Sequence, residues 1–135
     1  MNADAETRTL IVLDDEPMMI ASLRRRLKAE GYDQYIVKGF TRARDALCEL
    51  EKGECFVFIS DLMMPDITGD KVVEYIQEKY PAQRCIVITA YAERGMISRI
   101  VNLGNTVDVL AKPLIIERLV STLDRLANQS TTTSV

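Results

Sequence analysis

The polar residues that follow the apolar runs of this sequence are of types that could transfer a phosphoryl group. Asp14 and Asp15 follow the first run, Asp61 follows the third, Thr89 the fourth and Lys112 the fifth. An aspartate carboxylate can accept a phosphoryl group as a nucleophile. A lysine and a hydroxyl can stabilise the negative charge of the transferred oxygens. The residue types therefore predict phosphoryl chemistry, provided that the fold brings them into one crevice.

The three aspartates also predict a metal site. If Asp14, Asp15 and Asp61 lay close together as bare anions, each would raise the pKa of the others. A hard divalent cation relieves this repulsion, and Mg²⁺ prefers oxygen ligands and keeps several of its waters. Two carboxylates and one backbone carbonyl would therefore be enough to hold Mg²⁺ here.

Each of these features also has a simpler explanation when it is taken alone. Adjacent aspartates after a strand commonly cap a helix and line a solvated turn. A threonine after a strand usually caps or packs, and Lys-Pro is a common start of a helix. The occurrence of all four features at the ends of four strands favours a shared site over four unrelated ones.

Five short apolar runs, rich in β-branched residues, are typical of strands buried on both faces of a parallel sheet. They cover residues 10–13, 35–37, 56–59, 85–88 and 107–110. Apolar stripes of helical period follow each run, around 20–27, 43–50, 72–80, 96–103 and 115–126. This order predicts an α/β fold, a (βα)5 doubly wound five-stranded parallel sheet.

The strand order decides whether the polar residues meet. In open α/β sheets, ligands bind outside the carboxyl ends of the strands, at a topological switch point. If the order is the flavodoxin-like 2-1-3-4-5, the first and third strands are neighbours, so Asp14, Asp15 and Asp61 converge. Thr89 and Lys112 then flank the same crevice from the other side.

Composition excludes several functional classes. The chain has 135 residues, which fits one domain, and its net charge of −3 argues against general nucleic-acid binding. It contains no histidine, which excludes Ser-His and Cys-His nucleophile systems and histidine-ligated zinc.

Three cysteines without a C-x-x-C pair favour a reducing, cytoplasmic location. The start of the sequence does not have the pattern of a signal peptide, and no apolar stretch approaches the ~18 residues of a membrane span. We expect a flexible N-terminal tail over 1–7, one domain over 8–127, and a polar tail or the start of a linker over 128–135.

Four motifs resemble those of receiver domains of two-component response regulators, and the likeness covers roughly residues 8–127. They are Leu-Asp-Asp-Glu-Pro at 13–17, Ser-Asp-Leu-Met-Met-Pro-Asp-Ile-Thr-Gly at 60–69, Ile-Thr-Ala at 88–90 and Ala-Lys-Pro at 111–113. The second motif is especially specific. The resemblance implies signalling by phosphorylation, with a phosphohistidine of a separate sensor kinase or histidine phosphotransfer protein as the donor.

The resemblance also assigns roles to individual residues. Asp61 would be the phosphoacceptor, and Lys112 would pair with the phosphoryl oxygens. Thr89 would hydrogen-bond the phosphoryl group and move toward it on activation. The implied Mg²⁺ ligands are Asp14, Asp15, Asp61 and the backbone carbonyl of Met63. The implied switch region includes Ala90, directly after Thr89, and Pro113, which would follow a cis peptide bond.

One position departs from the family pattern. Many receivers carry a tyrosine or phenylalanine three residues before the lysine, and this ring swings inward as the threonine moves. Here the position is Val109, whose short, stiff side chain cannot do the same. Tyr91, two residues after Thr89, is a candidate to take over part of this role.

Two other functions remain open at this point. An Asp-nucleophile, Mg²⁺-dependent phosphatase usually has a second acidic residue two positions after its nucleophile, and only Glu16 after Asp14 fits that spacing. A degenerate receiver that acts only in protein interaction would not need the intact acidic, threonine and lysine set.

We expect a non-enzymatic phosphoacceptor that assists its own phosphorylation and dephosphorylation and binds an unknown downstream effector. It could form a homodimer, and we expect no direct contact with nucleic acid or membrane.

Overall fold

Strands and helices alternate strictly along the part of the chain that the computed structural model describes, residues 6–90 and 94–132. The strands are β1 (Arg8–Leu13), β2 (Tyr35–Phe40), β3 (Val57–Asp61), β4 (Cys85–Thr89) and β5 (Thr106–Ala111). The helices are α1 (Pro17–Ala29), α2 (Ala43–Glu51), α3 (Gly69–Lys79), α4 (Arg94–Val101) and α5 (Ile116–Thr132).

The strands form one parallel sheet in the order β2-β1-β3-β4-β5, which confirms the predicted doubly wound α/β fold. In the register between β1 and β3, Leu13 lies opposite Ser60, so Asp14 and Asp61 follow at the same level. Because all strands run in the same direction, their carboxyl ends share one edge of the sheet. The predicted crevice lies at this edge.

Side chains of each strand alternate between two hydrophobic layers. Leu10 and Val12 of β1 face one layer, which contains buried residues of α1 and α5. Ile11 and Leu13 face the other, which contains buried residues of α2, α3 and α4. This continuous burial on both faces explains why the strands appear in the sequence as unbroken apolar runs.

Helix ends differ in detail from the sequence-based expectations. Pro17 is the first residue of α1, in agreement with its fixed φ. The last helix continues to Thr132, so residues 128–132 extend α5 instead of forming a tail. These residues are polar but include no glycine or proline that would end a helix. Residues 1–5 of the predicted N-terminal tail lie outside the described residues.

None of the helices in the described ranges is long and apolar enough to cross a membrane.

A buried tyrosine joins the edge strand β2 to α5. The Tyr35 hydroxyl donates a hydrogen bond to Asp124 Oδ1. Burial of the ring, together with the hydrogen bond and charge of Asp124, raises the pKa of Tyr35 above its ordinary value. The folded state therefore favours the neutral phenol.

This interaction predicts a pH dependence of stability. Because the pKa of Tyr35 is higher in the folded chain than its unfolded value of about 10, its contribution is present below that pH and is lost as the pH rises above it. Tyr35→Phe removes this titration. We expect the free energy of unfolding, measured with urea at about pH 8 and about pH 10.5, to fall more steeply for the wild type than for the variant. Tyr75→Phe, at an exposed tyrosine of α3, should keep the wild-type slope, and equal slopes in all three proteins would contradict this account.

Candidate functional site

The carboxyl edge of the sheet brings together the acidic and basic residues singled out from the sequence. Asp14 directly follows β1, Asp61 ends β3, Thr89 ends β4, and Lys112 directly follows β5. Asp14 and Asp61 are each 6% exposed, and Thr89 is 3% exposed. Strand pairing aligns Asp61 with Ile88, so Thr89 lies one residue beyond the partner of Asp61 in the neighbouring strand.

The Lys112 ammonium group contacts two of the aspartates. Its Nζ lies 3.1 Å from Asp14 Oδ2 and 3.3 Å from Asp61 Oδ2. The backbone N–H of Lys112 donates to the carbonyl oxygen of Thr89 at 2.9 Å, which holds the end of β5 beside the end of β4. The Lys112–Pro113 peptide bond is cis, as the resemblance implies.

Opposing effects act on the pKa values of Asp61 and Lys112. Burial, together with the charge of Asp14, raises the pKa of Asp61, although Lys112 and the backbone N–H of Met63 act in the opposite direction. Burial alone would lower the pKa of Lys112. The hydrogen bonds and charges of Asp14 and Asp61 outweigh that effect and raise it.

The donor set fits a hard divalent cation. Carboxylate oxygens of Asp14, Asp15 and Asp61 all lie within 4.8 Å of one another. Within the described residues, Lys112 is the one cation paired with this group, through Asp14 and Asp61, so a divalent cation would balance the remaining charge of three ionised carboxylates. All of the donors are oxygens, which Mg²⁺ prefers to nitrogen or sulfur. Asp14 Oδ1 also accepts the backbone N–H of Glu16 at 2.9 Å, which orients this carboxylate.

A glycine sets the path of the backbone after Asp61. The N–H of Gly69, the first residue of α3, donates to the Leu62 carbonyl oxygen at 2.7 Å. A Cβ atom at Gly69 would lie 2.4 Å from the Asp61 carbonyl oxygen and 2.9 Å from Leu62 Cα. Only a residue without a side chain lets α3 begin this close to the end of β3.

The expected switch residues occupy different environments. Val109 is half-buried on β5, opposite Val87 of β4, and packs in the same hydrophobic cluster as Met96 of α4. Ala90 is exposed directly after β4, and Pro113 is exposed after β5. Tyr91, the candidate substitute for the missing aromatic residue, lies outside the described residues.

Met63, whose carbonyl is an expected metal ligand, has a half-exposed side chain at the mouth of the site. Its backbone N–H donates to the Asp61 carboxylate. The side chain therefore lies where a reacting partner or water would approach, while the backbone helps to position the carboxylate.

The family model for the response regulator receiver domain matches residues 10–124. The chain belongs to this family. The predicted receiver assignment is therefore confirmed. Among curated relatives, the receiver is 29% identical over 114 residues to the DNA-binding transcriptional regulator NtrC of Proteus hauseri, covering 84% of this chain and 23% of the relative. It is 30% identical over 121 residues to the response regulator protein PilR of Pseudomonas aeruginosa, covering 87% of this chain and 26% of the relative.

Solved structures support the same fold. The receiver superposes with a TM-score of 0.83, at 20% identity, on the signal receiver domain of an HD domain-containing protein from Pseudomonas fluorescens, covering 94% of this chain and 99% of the other. The beryllofluoride-activated NtrC4 receiver domain dimer matches with a TM-score of 0.78 and 26% identity, covering 90% and 97%. The receiver spans from 23% to 55% of the length of the first curated relatives it matches.

The contact at Gly69 predicts a defect in a variant that keeps every polar residue of the site. Gly69→Ala places a Cβ against backbone atoms of Asp61 and Leu62, which cannot rotate away. We expect it to reduce the free energy of unfolding by about 1–3 kcal/mol and to slow phosphorylation by acetyl phosphate about tenfold or more.

The matched control is Gly104→Ala, because the nearest atom to a Cβ there is Gln77 Nε2 at 3.9 Å. This control should keep the wild-type phosphorylation rate. A Gly69→Ala protein that phosphorylates at the rate of the control would show that α3 does not position Asp61.

Proposed function

We propose that Asp61 accepts a phosphoryl group from a phosphohistidine of a cytoplasmic sensor kinase or histidine phosphotransfer protein, and that phospho-Asp61 then switches a downstream partner. The observation that carries the proposal is the position of the Asp61 carboxylate, which is buried at the carboxyl edge between the acidic pair and the Lys112 ammonium group. The family assignment supports the same role.

In the proposed reaction, an ionised Asp61 oxygen attacks the phosphorus atom of the donor. An O–P bond forms on the aspartate while the N–P bond to the histidine breaks, and the electron pair of that bond returns to the imidazole. Lys112 Nζ, 3.3 Å from Asp61 Oδ2, is placed to stabilise the negative phosphoryl oxygens. The Thr89 hydroxyl is the proposed hydrogen-bond donor to one of these oxygens.

The proposed metal ligands are Asp14, Asp15, Asp61 and the backbone carbonyl of Met63. When bound, Mg²⁺ would neutralise negative charge on the carboxylates and on the phosphoryl oxygens. The residues of this chain hold the nucleophile, exclude bulk water from its buried oxygen and supply the positive charge of Lys112.

Incubation with acetyl phosphate and Mg²⁺ tests this function directly. Intact-mass spectrometry should show the gain of one phosphoryl group in the wild type and none in Asp61→Asn. Asp66→Asn is the matched control, because Asp66 is an exposed aspartate of the same loop, and it should be phosphorylated like the wild type. Lys112→Gln should slow the reaction about a hundredfold.

Loss of phosphorylation in Asp66→Asn, or its persistence in Asp61→Asn, would contradict the assignment of Asp61. Release of inorganic phosphate from an added phosphomonoester at many turnovers would instead indicate the phosphatase alternative.

Exposed apolar side chains follow three strands at the carboxyl edge of the sheet and form the proposed docking surface for the phosphohistidine donor. They are Met18 at the start of α1, Met63 after β3 and Ile115 before α5, and Met18 is 81% exposed. Apolar side chains grouped at an exposed edge are typical of a protein-binding surface. Arg26 Nη1 of α1 also donates to the Leu114 carbonyl oxygen at 2.8 Å, which ties two parts of this surface together.

A substitution on this surface should separate docking from chemistry. With a phosphohistidine donor protein that phosphorylates the wild type, we expect Met18→Glu to slow transfer about tenfold, which corresponds to about 1.4 kcal/mol at the interface. Phosphorylation by acetyl phosphate should not change. Ile36→Glu is the control, since Ile36 is an exposed apolar residue near the amino end of β2, away from the site. Equal transfer rates for Met18→Glu and Ile36→Glu would exclude Met18 from docking.

A further inference from the structure

A buried carboxylate at the start of α3 is paired with an arginine of α4. Asp70, the second residue of α3, is 2% exposed. Its Oδ2 lies 2.9 Å from Arg99 Nη1. Within residues 6–90 and 94–132, no hydrogen-bond donor reaches its other oxygen, Oδ1, which is also buried. The buried charge of Asp70 therefore depends on Arg99 for compensation.

The same arginine makes a second, weaker contact at the surface. Arg99 Nη2 lies 3.5 Å from Glu74 Oε2, and the side chain of Glu74 is 43% exposed. Solvent screens such an exposed pair, so it contributes little. Of the two ion pairs that Arg99 makes with α3, the one with the buried Asp70 is therefore the stronger.

This ion pair is adjacent to the phosphoacceptor along the chain. Asp70 follows Gly69, whose close approach to the Asp61 carbonyl oxygen leaves no room for a Cβ. A continuous path of contacts thus runs from the backbone of Asp61 through the first turn of α3 to Arg99 of α4. Because the N–H of Gly69 donates to the Leu62 carbonyl oxygen at 2.7 Å, the first turn of α3 is held beside Asp61, and the pair fixes α4 relative to the phosphorylation site.

A second path leads from the site to α4 through the main chain. Thr89 ends β4, and α4 begins at Arg94, only a few residues later. A displacement of Thr89 toward a phosphoryl group on Asp61 would therefore pull on the start of α4, while Asp70 stays in place. Val109 has no aromatic ring that could move inward in the same step. The contacts that α4 makes must therefore set how easily α4 moves.

We propose that the ion pair between Arg99 and Asp70 is a latch that holds α4 against α3 in the unphosphorylated receiver and opposes its movement when Asp61 is phosphorylated. This inference rests on the proposed function of Asp61. The latch lowers the population of the activated arrangement, and therefore slows phosphorylation by any donor that reacts best with that arrangement.

Hydrogen exchange and phosphorylation of the full chain test the latch together. In Arg99→Gln, we expect peptides from α4 to exchange about tenfold faster than in the unphosphorylated wild type, approaching the rates of the phosphorylated wild type. The initial rate of phosphorylation by acetyl phosphate, followed by intact mass, should rise several-fold. Asp70→Asn, which keeps the shape of the side chain, should have the same two effects.

Glu74→Gln is the matched control, because it removes only the exposed contact of the same arginine. It should leave both the exchange of α4 and the phosphorylation rate within about twofold of the wild type. Peptides from β1 and β3 report global unfolding, and their exchange should not change in any variant.

Unchanged exchange of α4 in both Arg99→Gln and Asp70→Asn would overturn the proposal, and so would a phosphorylation rate that falls or stays constant in both. Equal effects of Glu74→Gln would also overturn it, because the buried contact would then have no special role. A wild-type chain that gains no phosphoryl group would contradict the proposed function instead. In that case, the exchange of the unphosphorylated proteins still decides whether the pair holds α4.

Discussion

The charge balance around Lys112 is the constraint on which the rest of this receiver depends. Its ammonium group contacts the buried carboxylates of Asp14, directly after β1, and of Asp61, the last residue of β3. Without that positive charge, two carboxylates would be buried side by side, and each would disfavour ionisation of the other. The excess of negative charge favours binding of a divalent cation, which together with Lys112 would offset the charge of an arriving phosphoryl group.

The fold brings these charged residues together because it places segments that are distant in the sequence at the carboxyl edge of the sheet. The order β2-β1-β3-β4-β5 sets β1 beside β3, and it places β4 and β5 next to them. Burial of β3, β4 and most of β1 on both faces fixes the register, since a slip by one residue would exchange the two hydrophobic layers. The loop after β3 is further fixed by the close approach of Gly69 to Asp61, so Asp61 is held by backbone as well as by side chains.

Much of this architecture could be predicted from the sequence because its signals are local. Continuous apolar runs indicated the buried strands, and the residue types after them indicated the site. The α5 helix continues beyond the predicted boundary at residue 127, because polar residues such as Asn128 can continue a helix when nothing stops it. The pairing of Asp70 with Arg99 was missed for a different reason. An aspartate in the first turn of a helix is expected to be solvated, and only the packing of α4 shows that this one is buried.

An NMR titration of the ¹⁵N-labelled receiver tests whether the carboxyl edge holds one metal-dependent phosphoacceptor site. Mg²⁺ is added first, and beryllofluoride is added next as a mimic of the phosphoryl group. Mg²⁺ should shift the amide signals of residues 14–16 and 61–63 in a saturable way. Beryllofluoride should then shift Thr89 and Lys112, and α4 after them. Saturable shifts confined to another part of the molecule, or no saturable shift at the carboxyl edge, would contradict a single metal-dependent phosphoacceptor site built around Lys112.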